Sequence, residues 1–575
     1  MSLPRVLLTT PYGPFDKLRG ESPHDLFASR LTRGHGAFSM SSHFHEFGLH
    51  MIAENLSGPV TVLEEPTREQ FEEELDAGYD VVGIHLKSLH TERVLEMSRL
   101  IRARRPTARI VLGGYGVGAL DDPVPDDRGT ATALKELADA LCREEGVSFM
   151  RRFLGDPQEG APVTQFLLPW AGFTVRGFLR RYMHVPALLA GLGCPTGCTF
   201  CNTSAQFGGK KLRVAEPEEL FAFLKAHRER MNADLFLSMI FDEDLFLDPA
   251  YPRRLGALIR AAPSMWGAKW FGFASVRSLS KIDPEEVRES GCGAIWLGIE
   301  SFEAPAGSGE GADSAKRRGD AEAVVKGLHE AGVLTVCSLP FGYDFQTDAG
   351  IVAEIDRFVK LRTPFYQVAP LQPCPGTELF RRLKDAGRLD PELGWKDFHL
   401  WRMGAASHPN LKPERAAELF ELAHRRLAEE NGPPFLGMLE IFLNARERLA
   451  TRSDAFGRRQ FKHYGTLASL NRNLLPAVRR HAASEAVREQ ADALAKRFDR
   501  LVGKPGIFDR VARALGLWNM TRAVGRGNDE TPAYQPPLRR TAYEGSAGDR
   551  KAFVRKGALA AAPVAADRRR FGVVG

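Results

Sequence analysis

Cysteine is scarce in this chain, with 7 residues among 575, and the seven are spread along its length. No apolar leader follows Met1-Ser-Leu-Pro-Arg, which runs straight into a strand-like segment. Such usage argues against a disulfide framework and for a reducing compartment. Long hydrophobic runs are missing too: nothing approaches the roughly 20 apolar residues that cross a bilayer. A cytoplasmic location is therefore expected. No internal repeat stands out beyond an alternation of strand-like and helix-like segments.

The cysteines that are present have a pattern. Cys194, Cys198 and Cys201 lie in Gly191-Leu-Gly-Cys-Pro-Thr-Gly-Cys-Thr-Phe-Cys, a C-x3-C-x2-C triplet at the end of a short apolar strand. Random placement would produce it on the order of 0.001 times per chain. A zinc site wants a fourth Cys or His at short range, but the next candidate is His227 and no second C-x-x-C or H-x3-H follows. An iron-sulfur cube suits the triplet better: three thiolates on one loop secure three of four irons and leave the last open to a chelating ligand.

Hydrophobic residues at 43% and charged residues at 26% are ordinary globular values. The length suggests three or four domains at about 150 residues each. A net charge of +6 hides an asymmetry: residues 451–575 carry 25 Lys and Arg against 11 Asp and Glu, a local +14, so residues 1–450 sum to −8. The basic end is expected either to meet an anionic partner or to form a solvated helical face and tail.

Apolar runs at Pro4-Arg-Val-Leu-Leu, Pro59-Val-Thr-Val-Leu, Tyr79-Asp-Val-Val-Gly-Ile-His and Arg109-Ile-Val-Leu-Gly-Gly predict buried strands, with helices over 43–55, 67–76 and 90–105 between them. This alternation predicts an open, doubly wound parallel sheet over 1–150, with ligands at the carboxyl ends of its strands. After a connector over 151–185, a second series predicts strands near 187–193, 234–241, 269–275, 293–299, 333–341 and 365–371. Six βα units over 186–405 match a partial (β/α)6, TIM-like barrel. Residues 406–524 read as a helical extension, and 525–575 as a disordered basic tail. On a helix, His43 and His45 of the His43, His45, His50 group would point about 200° apart, which excludes a shared ligand role. Cys337, inside a strand, and Cys374, between two prolines, read as small buried hydrophobes.

Two regions together resemble radical S-adenosylmethionine (radical SAM) enzymes with an amino-terminal, Rossmann-like cobalamin-binding domain. In the barrel the resemblance is carried by the cysteine triplet, Gly298-Ile-Glu-Ser and Pro373-Cys-Pro-Gly-Thr. Beyond it, Gly394-Trp-Lys-Asp-Phe-His and Ser407-His-Pro-Asn-Leu add to it. The likeness implies that Cys194, Cys198 and Cys201 bind a 4Fe-4S cluster that reductively cleaves SAM to a 5′-deoxyadenosyl radical. It places Phe200 at the adenine. Glu300 and Arg277, at strand ends, carry charges that suit the ligand's amino and carboxylate groups, although Glu300 would equally serve a structural salt bridge. Asp242 and Asp244 stand where the family places an acidic motif for the SAM amino group, with helix capping before Leu245 as the alternative.

In the first domain, Gly113 and Gly114 fit the family pattern, in which glycines let the backbone approach the corrin or its nucleotide tail. The Asp-x-His-x-x-Gly motif for a lower axial histidine is absent. His85-Leu-Lys stands in place of Ser-x-Leu, and Ser88-Leu89 follows one turn later. The domain either binds cobalamin without a protein histidine on cobalt or keeps the fold without the cofactor; the first is preferred.

The resemblance implies methylation of an unactivated carbon in a small-molecule, lipid or peptide substrate, with an electron donor such as flavodoxin or ferredoxin. The alternatives are a cobalamin-independent radical cyclisation, dehydrogenation or rearrangement and, more remotely, a noncatalytic iron-sulfur redox protein.

Overall fold

The computed structural model describes residues 3–16, 19–21, 31–165, 169–175, 183–231, 236–303, 319–399, 401–504, 506–525 and 533–543. Residues 304–318, a Gly- and Ser-rich stretch inside the barrel series, lie outside them, as does the tail from residue 544 onward.

The first sheet is built from β1 (Val6–Thr9), β2 (Val60–Glu64), β3 (Val81–His85), β4 (Arg109–Gly113) and β5 (Ala140–Leu141), all parallel, in the order β2-β1-β3-β4-β5. Apolar side chains line β1 to β4 on both faces because helices cover both sides. From β1 the chain passes to one side for β2 and to the other for β3. This reversal of strand order opens a crevice beyond Thr9 and His85. Helices α1 (Phe47–Glu54) and α2 (Gly146–Leu154) close one face, where Leu49, Ala53 and Met150 pack on Val6, Leu8 and Val111. Helix α2 therefore spans position 150 and belongs to this sheet's layers.

The second sheet runs β6 (Met183–Leu189), β7 (Phe236–Phe241), β8 (Ala268–Ser275), β9 (Cys292–Gly298), β10 (Leu334–Phe341) and β11 (Phe365–Pro370), each parallel to its neighbour and in chain order. The last five coincide with predicted strands, whereas the first, expected near 187–193, lies at Met183–Leu189 and shares only residues 187–189 with the expectation. The first edge is extended by two antiparallel strands, Pro169–Val175 and Met40–Phe44. Here the expected helix over 43–55 is corrected. Its first residues pair with Ala171 and Gly172 as strand, and the helix starts only at Phe47. Strand pairing outweighs a weak local preference.

The two sheets are joined tightly. Trp395 Nε1 donates to Asp127 at 2.8 Å, and Lys384 Nζ reaches Asp122 at 2.6 Å. Gly376, at φ +89°, sits so close that a Cβ would lie 3.0 Å from the Ala119 nitrogen. The Pro-Cys-Pro-Gly-Thr turn thus rests directly on the first domain. A helical layer from Pro413 to Gly525 packs beyond the second sheet.

The expectation that 525–575 lacks structure fails for residues 533–543. Ala533–Tyr534 pairs with Phe15–Asp16, and β12 (Arg539–Tyr543) adds antiparallel to the edge of β2. An unpaired sheet edge offers backbone donors and acceptors that local sequence does not reveal. Side chains lock the strap. Tyr543 Oη lies 2.7 Å from His50 Nδ1, Arg539 lies 3.6 Å from Glu64, and Arg540 holds Glu74 through two bonds.

Glu64 also meets His45 Nδ1 at 2.7 Å and His50 Nε2 at 3.1 Å. His45 and His50 therefore do converge, because residue 45 follows a strand and not a helical turn. The side chain of His43 lies outside the described residues. Burial opposes ionisation of Glu64, yet His45, Arg539 and His50 hold its carboxyl well below the ordinary 4.5.

A depressed carboxylate contributes stability that is present above its unfolded pKa and is lost as the pH falls towards the folded one. Arg539→Ala should lower stability by about 1–3 kcal/mol at neutral pH. In thermal melts the deficit should shrink as the pH drops below 4.5. An equal deficit at neutral and acid pH would contradict the pairing.

Candidate active site

The cysteine loop is shaped by its glycines. Gly191–Leu192 pairs antiparallel with Leu212–Arg213, and Gly193 then turns at φ +80°, where a Cβ would overlap the Lys210 carbonyl. Gly197 turns again at φ +70°. Only glycine takes such turns without strain. Cys194 and Cys198 are buried, Cys201 is half-buried, and the Cys201 N–H donates to the Cys198 carbonyl at 3.1 Å. The loop is tied down by the Leu379 N–H, which donates to the Thr199 carbonyl at 2.9 Å just after the Pro-Cys-Pro-Gly-Thr turn.

All three cysteines line one cavity of about 610 Å³ between the carboxyl ends of the two sheets. Gly113, Gly114 and His85 form part of the opposite wall, and the cavity continues between the first sheet and its helices, past Leu8, Val111 and Met150. Tyr115 Oη and Thr203 Oγ1, 3.3 Å apart, bridge the two walls. Gly114 has φ +103°, and a Cβ there would stand 2.6 Å from the His85 ring and 2.8 Å from the Leu86 carbonyl. At Gly113 a Cβ would meet only Cys142, at 3.6 Å, so the backbone itself faces the open space.

Beside the cysteines runs Asp242-Glu-Asp244. Asp242 is buried at the cavity wall, paired with Lys211 and accepting the Asp244 N–H at 3.0 Å. Asp244 faces away. It accepts from Ser275 Oγ at 2.6 Å and Ser278 Oγ at 2.9 Å, and it caps the turn at Leu245 through the Phe246 N–H. The capping alternative therefore describes Asp244. Glu243, which the sequence reading passed over, lines the cavity. Its Oε2 is buried without a hydrogen-bond partner, and burial pushes its carboxyl up. A buried acceptor with no protein donor is a place for a ligand's donor.

The other predicted residues divide into two groups. Phe200 meets Tyr343 edge-on with ring centroids 6.4 Å apart, and Tyr343 Oη lies 3.5 Å from Glu300 Oε2. Tyr343 and Glu300 are buried and Phe200 is half-buried, and the three lie beside the cysteines but off the cavity wall. Glu300 sits at φ +64°, and its carboxylate occupies the space a Cβ at Gly298 would take. Arg277 is half-buried in the turn after β8, without an ion pair among the described residues, and does not reach the cavity. Ser88 opens a 3-10 turn, its carbonyl accepting from Thr91 Oγ1 at 2.6 Å, and also stays off the cavity.

His85, which stands where the family pattern has its serine, three residues before Ser88, takes the cavity side instead. Its Nδ1 lies 3.2 Å from Glu46, which also holds Lys87 at 2.7 Å. Cys337 and Cys374 are pushed up to about 11 by burial, as inert thiols are.

Two α/β sheets thus face one cavity, one bearing a three-cysteine loop and the other a glycine-lined crevice. No protein-family model matches the chain. It is 25% identical over 334 residues to bacteriochlorophyllide d C-12(1)-methyltransferase of Chlorobaculum tepidum, which covers 57% of this chain and 71% of that protein. Among solved structures it is similar to the radical SAM methyltransferase TsrM of Kitasatospora setae with cobalamin and a 4Fe-4S cluster bound, at 14% identity and a TM-score of 0.49, covering 82% of this chain and 99% of that one. A further similarity is to coproporphyrinogen III oxidase (HemN) of Escherichia coli, at 16% identity and a TM-score of 0.28, covering 42% and 52% of the two chains. No helix among the described residues is long and apolar enough to cross a membrane.

The close approach at Gly114 is testable without any ligand. Gly114→Ala should cost about 1–3 kcal/mol of stability, whereas Gly118→Ala, which meets nothing within 4 Å, should be near neutral. Equal melting temperatures for the two variants would contradict the packing described.

Proposed function

We propose that the protein is a cobalamin-dependent radical SAM methyltransferase acting on an unactivated carbon of a biosynthetic small molecule. The observation that carries this reading is one cavity with three thiols on one wall and exposed glycine backbone on the other. The donor set fits: three sulfurs suit an open-iron cluster, and the orphaned Glu243 Oε2 suits the ammonium of a methionine moiety. A cluster and a corrin bound there would supply, respectively, one-electron cleavage of SAM and a transferable methyl group.

The chain's own residues bind, orient and exclude water. Cys194, Cys198 and Cys201 would hold three irons, and Asp242, fixed by Lys211, keeps the acidic segment in place beside them. Phe200, Tyr343 and Glu300, off the cavity wall, would support the nucleoside side of the SAM site from behind the cysteines. Gly113 and Gly114 would let a corrin approach the sheet, while Leu8, Val111 and Met150 keep the inner pocket dry. His85, oriented by Glu46 through Nδ1, lies on that same wall. The likeness to a bacteriochlorophyllide methyltransferase supports methyl transfer, and an external donor such as flavodoxin or ferredoxin would supply the electron.

Anaerobic protein reconstituted with iron, sulfide and cobalamin should show corrinoid absorption and form S-adenosylhomocysteine beside 5′-deoxyadenosine. 5′-Deoxyadenosine alone would favour the cobalamin-independent reading. Glu243→Gln should keep full iron content while raising the KM for SAM at least roughly tenfold, the scale of one charge-assisted bond. An unchanged KM would remove Glu243 from the site.

A further inference from the structure

Helix α3 (Ile507–Gly525) is apolar on two sides, only one of which is covered among the described residues. Leu517 and Met520 pack into the core of the carboxyl-terminal helices. On the other side Ile507, Phe508, Val511, Leu515 and Trp518 are 77%, 91%, 54%, 48% and 54% exposed. At 100° per residue these five fall within an arc of about 100°, a single continuous stripe. Hydrophobic side chains scattered singly over a surface need no explanation, but a contiguous stripe of five, including Phe and Trp, marks a contact surface.

The charge around the stripe points to its occupant. Residues 500–526 contain six Lys or Arg and a single acidic residue, Asp509. Arg522 lies in the arc itself, its guanidinium 4.5 Å from the Trp518 ring. Lys504 and Arg510 are exposed beside it. The neighbouring helix Leu475–Arg480 ends in exposed Arg479 and Arg480, and His481 reaches Thr521 at 3.1 Å. A second copy of so basic a surface would be repelled. Nucleic acid would use the cations and leave the aliphatic stripe wet. An apolar face rimmed by arginine and lysine, with Phe and Trp at its exposed ridge, has the chemistry of a helix lying in a lipid interface.

We propose that α3 docks the protein on an anionic bilayer surface, its stripe entering the headgroup boundary while Lys504, Arg510, Arg479 and Arg480 meet lipid phosphates. The full chain should cosediment with vesicles of phosphatidylcholine containing about a third phosphatidylglycerol at least roughly tenfold better than with phosphatidylcholine alone. Added salt should weaken the association. Phe508→Glu and Trp518→Glu, at exposed positions that leave the core intact, should each lower anionic-vesicle binding at least about tenfold with an unchanged far-ultraviolet spectrum. The proposal is overturned if the wild-type chain stays in the supernatant or if the two variants bind as it does. It is also overturned if light scattering shows a dimer that Phe508→Glu dissolves, since the stripe would then be covered by a second copy.

Discussion

Three thiols reach one cavity wall only because the chain between them can turn at positive φ. Gly193 and Gly197 provide those turns, and the first also passes so close to the Lys210 carbonyl that no side chain fits. Everything downstream depends on this constraint. The short hairpin with Leu212–Arg213 anchors the entry of the loop, and the Leu379 N–H anchors its far side. The loop is consequently a fixed ligand frame between two sheets, and chelating chemistry needs such preorganisation.

The opposing wall is held by an interface that leaves little freedom. Trp395 and Lys384 reach across to Asp127 and Asp122, and Gly376 lets two backbones touch. The carboxyl ends of both parallel sheets are therefore presented to each other across a single space. The strap Arg539–Tyr543 reinforces this from the outside. It pairs with β2 and fixes Glu64, and the Glu64 carboxylate also accepts the Glu46 N–H at 2.7 Å. Glu46 in turn orients His85 on the cavity wall. A segment more than 400 residues away in sequence is thus connected by contiguous hydrogen bonds to the crevice.

Much of this was legible in the sequence. Strands of a covered parallel sheet announce themselves as predominantly apolar runs, and all six strands of the second sheet overlap a run read as strand. The cysteine triplet is legible because its spacing is set by chemistry on a single loop. Polar and edge elements are different. Arg539–Tyr543 reads Arg-Arg-Thr-Ala-Tyr, with no apolar run, and becomes a strand only because β2 offers a free edge. Met40–Phe44 is drawn into strand by Pro169–Val175. Among three consecutive carboxylates, which one faces the cavity is decided by the Ser275 and Ser278 hydroxyls claiming Asp244, a contact made 31 and 34 residues away. Likewise, His85 displaces Ser88 because the backbone leaves β3 one turn before the serine.

The central claim is that Cys194, Cys198 and Cys201 hold an iron-sulfur cube whose fourth iron opens into the shared cavity. Electron paramagnetic resonance of the anaerobically reconstituted, reduced protein tests it most directly, with SAM labelled by nitrogen-15 at the methionine amino group. The account predicts a 4Fe-4S signal that shifts on addition of SAM and carries a nitrogen-15 hyperfine coupling. A spectrum indifferent to SAM, or a protein that purifies with zinc in place of iron, would contradict it.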